Sequence, residues 1–189
     1  MQGPLSGDSV VVQADAQVGG NIQLVNLTVV GALTTPVGAS VQVSGQAQVG
    51  ILDYDYHYGD GTADIIDRLG LHWIAHYSAG QTFLAEHQAG AFLNAIPDHV
   101  ARMADCDVVL YQAGADPHIE DPLGGFLTTA ELAERDRRVF QGLHDRGIPV
   151  AWNLAGGYQQ PLSKVVAIHK NTYRACQAIY GASASRASS

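Results

Sequence analysis

The sequence predicts an α/β protein with a mostly parallel β-sheet, and two observations lead to this fold class. From residue 49 to residue 181, short apolar runs alternate with amphipathic stretches, as in successive strand–helix–strand units. Glycines and prolines separate these stretches, as they do at turns between strands and helices. We therefore expect an α/β domain at 49–181, a different kind of segment at 1–48, and a disordered tail at 182–189.

The first 48 residues differ in composition from the rest of the chain. No Asp, Glu, Lys or Arg lies between Asp15 and Asp53, and Val, Gln, Gly, Ala and Thr dominate. Ile22–Val30 is rich in β-branched residues, and Val41–Val49 alternates apolar and polar residues as a half-buried strand does. We expect this segment to be β-prone or disordered, without a helix. One interpretation is a β-rich interaction or assembly module, and another is a gene fusion or a change of reading frame.

Four apolar runs of the α/β domain are predicted as strands, at Gly50–Tyr54, His72–His76, Asp107–Gln112 and Pro149–Leu154. Four amphipathic stretches are predicted as helices, beginning at Thr62, Ala85, Thr128 and Ser163. Threonine side chains cap helices well, and Glu131 completes a capping box with Thr128. We expect Pro97 to break the second helix or to start a new turn in it, and Gly181 to end the last helix.

The overall composition limits the partners of the chain. The formal net charge of −8 and the lack of a Lys/Arg cluster argue against binding to nucleic acid or to an anionic membrane. No apolar run approaches the ~20 residues of a membrane span, and the N-terminal residues lack the features of a signal peptide. Cys106 and Cys176 are too few for a disulfide framework. We expect a cytoplasmic protein with reduced thiols.

The segment Ile51–Thr62, ILDYDYHYGDGT, places three ionisable residues at alternate positions after an apolar run. On a strand, Asp53, Asp55 and His57 would project to the same face, because residues two apart share a face. Gathering two carboxylates and an imidazole at one place costs free energy unless a cation offsets the repulsion. We interpret these residues as part of a metal site.

Two further strand ends carry polar residues, and ligands bind at the carboxyl ends of strands in open parallel sheets. Asp116 follows the strand predicted at Asp107–Gln112, and Tyr158 follows a Gly-Gly turn after the fourth strand. Asp55, His57 and Asp116 are the predicted metal ligands, because three protein groups with an open position are typical of a catalytic site for zinc or another divalent ion. The Tyr158 hydroxyl is a predicted hydrogen-bond donor to a developing oxyanion.

The loop that contains Asp116 carries three more ionisable residues, His118, Glu120 and Asp121. We expect their side chains to order the loop and to face solvent rather than to bind the metal. We expect the excess of acidic side chains to lie on the solvent-exposed surface.

Three segments resemble motifs of the histone deacetylase and acetylpolyamine amidohydrolase family: ILDYDYHYGDGT, VVLYQAGADPHIEDPLGGFLTT and NLAGGYQ. The resemblance covers residues 49–181, the C-terminal half of the family's domain, and implies a truncated three-layer α/β/α fold with a mostly parallel sheet. It implies zinc-dependent hydrolysis of amides in acetyl-lysine peptides or in small acetylated amines such as polyamines. The implied zinc ligands are Asp55, His57 and Asp116, and Tyr158 is the implied tyrosine that stabilises the transition state.

The resemblance also implies roles for the residues around the metal. Asp53 and Asp60 match acidic residues that orient a pair of histidines in the family, and groups around Asp53, Asp55 and His57 match a potassium site. The family's tandem His-His, which supplies the general base and acid, has no counterpart, because residues 1–50 contain no histidine. We therefore expect either a slow hydrolase or a non-catalytic remnant of one. A sheet without its N-terminal half is expected to expose an edge and a face and to form homo-oligomers.

Overall fold

The structure is a computed structural model that describes the backbone of residues 5–12, 16–17, 22–29, 33–34, 41–43 and 47–186, and the side chains of residues 47–181. The chain divides into two units, Met1–Ala47 and Gln48–Ser189. The strands of the two units belong to separate sheets.

The described part of the first unit contains five strands: β1 (Leu5–Val12), β2 (Ala16–Gln17), β3 (Ile22–Val29), β4 (Leu33–Thr34) and β5 (Val41–Val43). β1, β3 and β5 form a parallel sheet in that order, and β2 and β4 form a second parallel pair. Leu5 pairs with Ile22, and Ile22 pairs in turn with Val41. Alternate strands along the sequence therefore belong to the same sheet: β1, β3 and β5 to one, and β2 and β4 to the other. The strand predicted over Val41–Val49 does not form as one piece, because Val49 belongs to the sheet of the second unit.

The second unit is built on four strands: β6 (Val49–Asp53), β7 (Ile74–Ser78), β8 (Val108–Gly114) and β9 (Val150–Ala155). All are parallel, in the order β7–β6–β8–β9. The predicted α/β class with a parallel sheet is thereby confirmed. The register places Asp53 beside Ser78 on β7 and beside Gln112 on β8, so three strands end close together.

β7 lies later in the chain than the strand predicted at His72–His76. Gly70 adopts a left-handed conformation (φ 61°) at the end of the preceding helix. The amides of His72 and Ile74 then donate hydrogen bonds to the carbonyls of Gly70 (2.9 Å) and Leu71 (3.1 Å). Because these turns occupy the backbone, the chain does not enter the sheet until Ile74.

The second unit has four α-helices among its described residues: α1 (Asp60–Leu69), α2 (Ala89–Ala101), α3 (Thr129–Asp145) and α4 (Ser163–Arg186). α1 begins before the predicted cap Thr62, because the Ala63 amide already closes a turn onto the Gly59 carbonyl (3.1 Å). The predicted capping box of α3 is confirmed. The Glu131 amide donates to Thr128 Oγ1 (3.3 Å), and the Thr128 amide donates to Glu131 Oε2 (2.8 Å).

Pro97 lies inside α2 and does not break it, so this prediction is wrong. A proline has no N–H, and it leaves the carbonyl four residues earlier, that of Leu93, without its helical donor. Arg138 of α3 donates from Nη1 to this carbonyl over 2.6 Å. The helix continues because a neighbouring helix replaces the hydrogen bond that the proline removes.

α4 continues past Gly181 to Arg186, so the end predicted at Gly181 is wrong. A glycine inside a helix costs about 1 kcal/mol relative to alanine, which the long helix tolerates. The backbone of residues 182–186 belongs to α4, and the predicted disorder stays a prediction for residues 187–189, which lie outside the described residues.

The core lies on one face of the sheet. Leu52 of β6 and Tyr111 of β8 are fully buried, and the Tyr111 ring meets the Phe140 ring of α3 edge-to-face with centroids 5.6 Å apart. Leu110 of β8, which points to the opposite face from Tyr111, is 44% exposed. None of the ten residues of α1 is buried. The sheet therefore leaves apolar surface in contact with solvent.

Two expectations drawn from composition concern thiols and membranes. Cys106 and Cys176 are free, half-buried thiols, as predicted. Within the described part of the chain, no helix combines the length and the apolar character needed to cross a membrane.

Candidate metal and active site

The candidate site lies at the carboxyl ends of β6 and β8. β6 ends at Asp53, so Asp55 and His57 lie in the loop beyond it, and the strand alternation predicted for the three residues does not reach them. The Asp55 amide donates to Asp53 Oδ1 (3.2 Å), and the His57 amide donates to Asp55 Oδ1 (2.8 Å). These are two successive Asx turns, in which each aspartate orders the backbone two residues ahead.

The structure brings Asp55, His57 and Asp116 together. His57 Nδ1 lies 3.2 Å from Asp55 Oδ1 and 3.2 Å from Asp116 Oδ2. One ligand-type atom from each residue falls within 4.8 Å of the others, which is a grouping that can hold a metal ion. The Asp116 side chain is fully buried, whereas that of His57 is 55% exposed, so the cluster is open to solvent on the imidazole side. Asp53 and Asp60 are not members of this group.

The Asp116 carboxylate is held in an environment that disfavours its charge. Burial, with a smaller contribution from the neighbouring charge of Asp55, raises the pKa of Asp116 to about 7. Its Oδ1 accepts the Tyr56 amide (3.3 Å), but its buried Oδ2 receives no hydrogen bond from the described residues. A buried carboxylate oxygen without a donor is costly, and a cation at this position would remove that cost.

Asp53 is the last residue of β6 and is paired with Ser78 of β7. Burial is the main cause that raises the pKa of Asp53 to about 6, and the charge of Asp55 adds to it. Ser78 Oγ accepts the Gly59 amide (3.1 Å) and donates to the His57 carbonyl (3.4 Å). Sequence reasoning missed Ser78. Its position at the carboxyl end of a strand beside β6 was the available signal, but the strand was predicted to end before it.

Asp60 is exposed and is the first residue of α1. Its Oδ1 accepts the amide of Gly61 (2.8 Å), and a carboxylate in the first helical turn is stabilised by the helix dipole. Its role as an acidic partner of histidines therefore remains a prediction that no contact in the described residues supports.

Tyr158 lies in the loop after β9. Gly156 (φ 51°) and Gly157 (φ 116°) both have positive φ, which favours glycine, and they precede a Tyr158 side chain that is 52% exposed. The Tyr158 amide donates to Asp121 Oδ2 over 2.8 Å. Asp121 is buried rather than facing solvent, because its carboxylate is needed as a hydrogen-bond acceptor for this loop and for the Leu123 amide.

His118 and Glu120 order the loop that follows β8. His118 is buried, with Nε2 2.9 Å from Thr129 Oγ1 and Nδ1 accepting the Glu120 amide (3.1 Å). Its predicted loop-ordering role is confirmed, and its predicted exposure is wrong. The Glu120 carboxylate is exposed and pairs with Lys164 Nζ of α4 (2.8 Å), so this loop is also tied to the last helix.

The comparison with protein families matches the chain to the histone deacetylase domain. The sequence profile of the histone deacetylase domain matches residues 75–176, which include Asp116 and Tyr158 and begin after Asp55 and His57. The matched residues make up more than half of the chain. The chain therefore belongs to the histone deacetylase domain family.

Two relatives show how much of a longer protein the chain corresponds to. An uncharacterized protein of Picosynechococcus sp. is 29% identical over 160 residues, which cover 75% of this chain and 53% of the relative. A crystal structure of an HDAC homologue complexed with SAHA superposes with a TM-score of 0.48 and 14% identity, over 74% of this chain and 47% of the other. The chain spans about half the length of these proteins.

Proposed function

We propose that the chain carries the metal site of a deacetylase-type amide hydrolase, with zinc or another divalent ion bound by Asp55, His57 and Asp116. The observation that carries this proposal is the convergence of the three ligand-type atoms to within 4.8 Å from two separate strand ends. Two carboxylates and one imidazole leave room for water or substrate, as in catalytic zinc sites. Membership of the deacetylase family supports the reaction class.

The residues present fit a divalent cation on chemical grounds. Asp116 Oδ2 is buried and receives no hydrogen bond from the described residues, and its charge is disfavoured by burial and by Asp55. His57 Nδ1 faces both carboxylates at 3.2 Å. An ion bound among these atoms would compensate both carboxylates at once.

The proposed substrate is the acetyl-amide of an acetyl-lysine peptide or of a small acetylated amine such as a polyamine. When bound, the divalent ion supplies Lewis-acid polarisation of the amide carbonyl and acidification of water. The Tyr158 hydroxyl donates a hydrogen bond to the oxygen on which negative charge develops. The net charge of −8 favours the approach of cationic amines. Nucleic acid and membrane are not proposed as partners.

The general base is the missing part of this mechanism. We propose that Asp53 and Asp60 correspond to the acidic residues that orient a histidine pair in the family. Residues 1–50 of this chain, however, contain no histidine. General acid–base catalysis contributes ~10²–10⁴-fold to a rate, so we expect slow turnover from the metal and Tyr158 alone.

A non-catalytic remnant of a deacetylase is the second candidate. Two observations favour it: the lack of histidine in residues 1–50, and the charge-free composition of the segment between Asp15 and Val49. In this case the cluster of Asp55, His57 and Asp116 would bind metal without hydrolysing amides.

We further propose a potassium ion beside the divalent site. Asp53, the backbone around Asp55 and His57, and the Ser78 hydroxyl supply the oxygen atoms that such a cation requires. The raised pKa of Asp53 (to about 6) supports this, because a buried carboxylate gains from a nearby cation.

The test combines zinc stoichiometry with hydrolysis of an acetyl-lysine reporter. We expect one zinc per chain in the parent and in Tyr158→Phe, and loss of zinc in Asp116→Ala. Tyr158→Phe should reduce the rate by ~10²–10³-fold, as the loss of one oxyanion donor does. Tyr173→Phe, which changes an exposed tyrosine of α4, is the matched control.

A parent that binds no zinc, or an Asp116→Ala variant that keeps it, would overturn the proposed site. Stoichiometric zinc without measurable hydrolysis would select the non-catalytic remnant over the enzyme.

A further inference from the structure

Arg135, in the middle of α3, is a fully buried charged residue. Its Nη1 donates to the carbonyl of Tyr54 (3.1 Å) and to the carbonyl of Gly114 (2.8 Å). Tyr54 directly precedes Asp55, and Gly114 ends β8 just before Asp116. A single guanidinium nitrogen therefore joins the two backbone segments that carry the carboxylates of the candidate site.

Asp136 holds the Arg135 guanidinium in place. Arg135 Nε donates to Asp136 Oδ1 (2.8 Å), and Nη2 lies 2.8 Å from the same oxygen. The Tyr111 hydroxyl donates to Oδ1 (2.5 Å), and Thr172 Oγ1 of α4 donates to Oδ2 (2.6 Å). The carboxylate thus has donors from β8, α3 and α4, and the pair has little freedom to move.

Stability alone is a weak reason for burying such a pair. Replacing a buried ion pair with apolar residues of similar volume is often neutral or stabilising, because desolvation consumes the Coulombic gain. The contacts of Arg135 are instead directed to two carbonyls at the ends of β6 and β8, where the fold needs a fixed separation between Asp55 and Asp116.

We propose that Arg135 and Asp136 are positioning residues that hold the ends of β6 and β8 at the separation at which Asp55, His57 and Asp116 share one cation. This inference rests on the proposed metal site. The pair acts through the backbone carbonyls and does not touch the ion or the substrate.

The direction in which zinc affinity changes when Arg135 is replaced distinguishes positioning from a direct effect of its charge. The Arg135 charge interacts with the Asp116 carboxylate, and a positive charge at this place opposes the binding of a cation. If charge were the main effect, removing it would tighten metal binding. If positioning is the main effect, Arg135→Lys weakens binding although the charge is kept, because an ammonium lacks the planar fork that reaches two carbonyls and a carboxylate.

The experiment measures zinc affinity by competition with a chelator in the full chain. We expect Arg135→Lys to weaken zinc binding by about 10- to 100-fold, the range found when outer hydrogen-bond partners of metal sites are removed. Arg138→Lys is the matched control. It makes the same change on the same helix and alters the contact with the Leu93 carbonyl, but Arg138 touches neither the Tyr54 nor the Gly114 carbonyl, and we expect its zinc affinity to lie within about threefold of the parent, since it leaves the partners that orient the site in place.

Hydrogen exchange in the metal-free protein gives a second readout. The Tyr56 amide donates to Asp116 Oδ1 and so reports on the distance between the two segments. This amide should exchange faster in Arg135→Lys than in Arg138→Lys after correction for the global stability of each variant. If Arg135→Lys does not fold, Asp136→Asn takes its place, because it releases the guanidinium with a near-isosteric change.

Three results would overturn the inference. Unchanged zinc affinity in a folded Arg135→Lys variant, with normal binding by the parent, would exclude positioning while leaving the metal site intact. Tighter binding by Arg135→Met would assign the effect to charge. Equal Tyr56 exchange in Arg135→Lys and the control would show that the pair does not fix the two segments, whereas a parent chain without zinc would overturn the proposed metal site on which the inference rests.

Discussion

Gly156 makes room for the Asp116 carboxylate. A β-carbon added to Gly156 would lie 2.1 Å from Asp116 Oδ1, and one added to Gly114 would lie 2.7 Å from the same atom. Non-bonded carbon and oxygen atoms do not approach each other this closely, so a side chain at either position would displace the carboxylate. Two glycines on neighbouring strand ends therefore shape the candidate site as much as its ligands do.

Gly156→Ala should weaken zinc binding by at least about tenfold, because the new methyl group displaces a ligand that needs to be fixed. Gly147→Ala is the matched control. Gly147 has a similar positive φ (67°) but no atom within 4 Å of an added β-carbon, so it reports only the backbone strain of about 1 kcal/mol. Zinc titration and thermal unfolding measure the two effects. Equal zinc affinity in both variants would contradict the assigned role of Gly156.

Some residues of the site were predictable from sequence, and others were not. The sequence predicts Asp55, His57, Asp116 and Tyr158 as site residues because each lies shortly after a predicted strand, and the structure groups the first three. Arg135 and Ser78 were missed, because their contacts are made to segments distant in sequence and leave no local pattern.

At the level of elements, the parallel strands were predictable because buried strands read as short apolar runs between turns. All four strands begin and end within two residues of their predicted positions, and β7 is shifted by two residues at both ends because of the turns after Gly70. The continuity of α2 was not predictable. It depends on Arg138 of another helix, which donates to the Leu93 carbonyl that Pro97 leaves free.

Arg138→Met should cost about 1–3 kcal/mol of unfolding free energy, the usual cost of leaving a buried carbonyl without a partner. Arg137→Met is the control, since Arg137 shares the partner Glu134 and makes no hydrogen bond to α2 among the described residues. Adding Pro97→Ala should recover part of the loss, because the new N–H can bond to Leu93 O. Denaturant unfolding of the single and double variants measures this coupling. Strictly additive effects would contradict the account of α2.

For the whole molecule, the buried carboxylates make stability depend on pH and on metal. Asp53 (pKa about 6) and Asp116 (pKa about 7) bind protons more tightly when folded than when unfolded, where their pKa is about 4. Each therefore lowers the unfolding free energy as the pH rises through this window. Histidines whose pKa is lowered by burial have the opposite pH dependence, because they lower the unfolding free energy as the pH falls. These histidines are His76, His99, His118 and His169.

A comparison of variants isolates the carboxylate. Without metal, Asp116→Asn should be more stable than the parent at pH 8 by about 1 kcal/mol or more, because it removes a charge that burial disfavours. The difference should shrink at pH 5, where Asp116 is protonated, and zinc at pH 8 should reverse the order. Thermal unfolding at both pH values measures this. A parent that is more stable than Asp116→Asn at pH 8 without metal would contradict the burial argument.

The exposed face of the sheet is expected to drive self-association. Leu110 is 44% exposed on a parallel sheet, a kind of sheet that proteins normally cover on both faces. Leu110→Gln should increase the monomer fraction in analytical ultracentrifugation, whereas Leu123→Gln, at a 51% exposed loop position, should not. A monodisperse, cooperatively unfolding parent monomer would contradict this expectation.

The most direct test of the shared cation is X-ray absorption at the zinc edge of the zinc-loaded chain. The proposed site predicts one zinc per chain surrounded by oxygen and nitrogen ligands, with one imidazole from His57 and no sulfur. Asp116→Asn should lower the zinc content and change this spectrum. Sulfur ligands from Cys106 or Cys176, or a parent chain that takes up no stoichiometric zinc, would contradict the account.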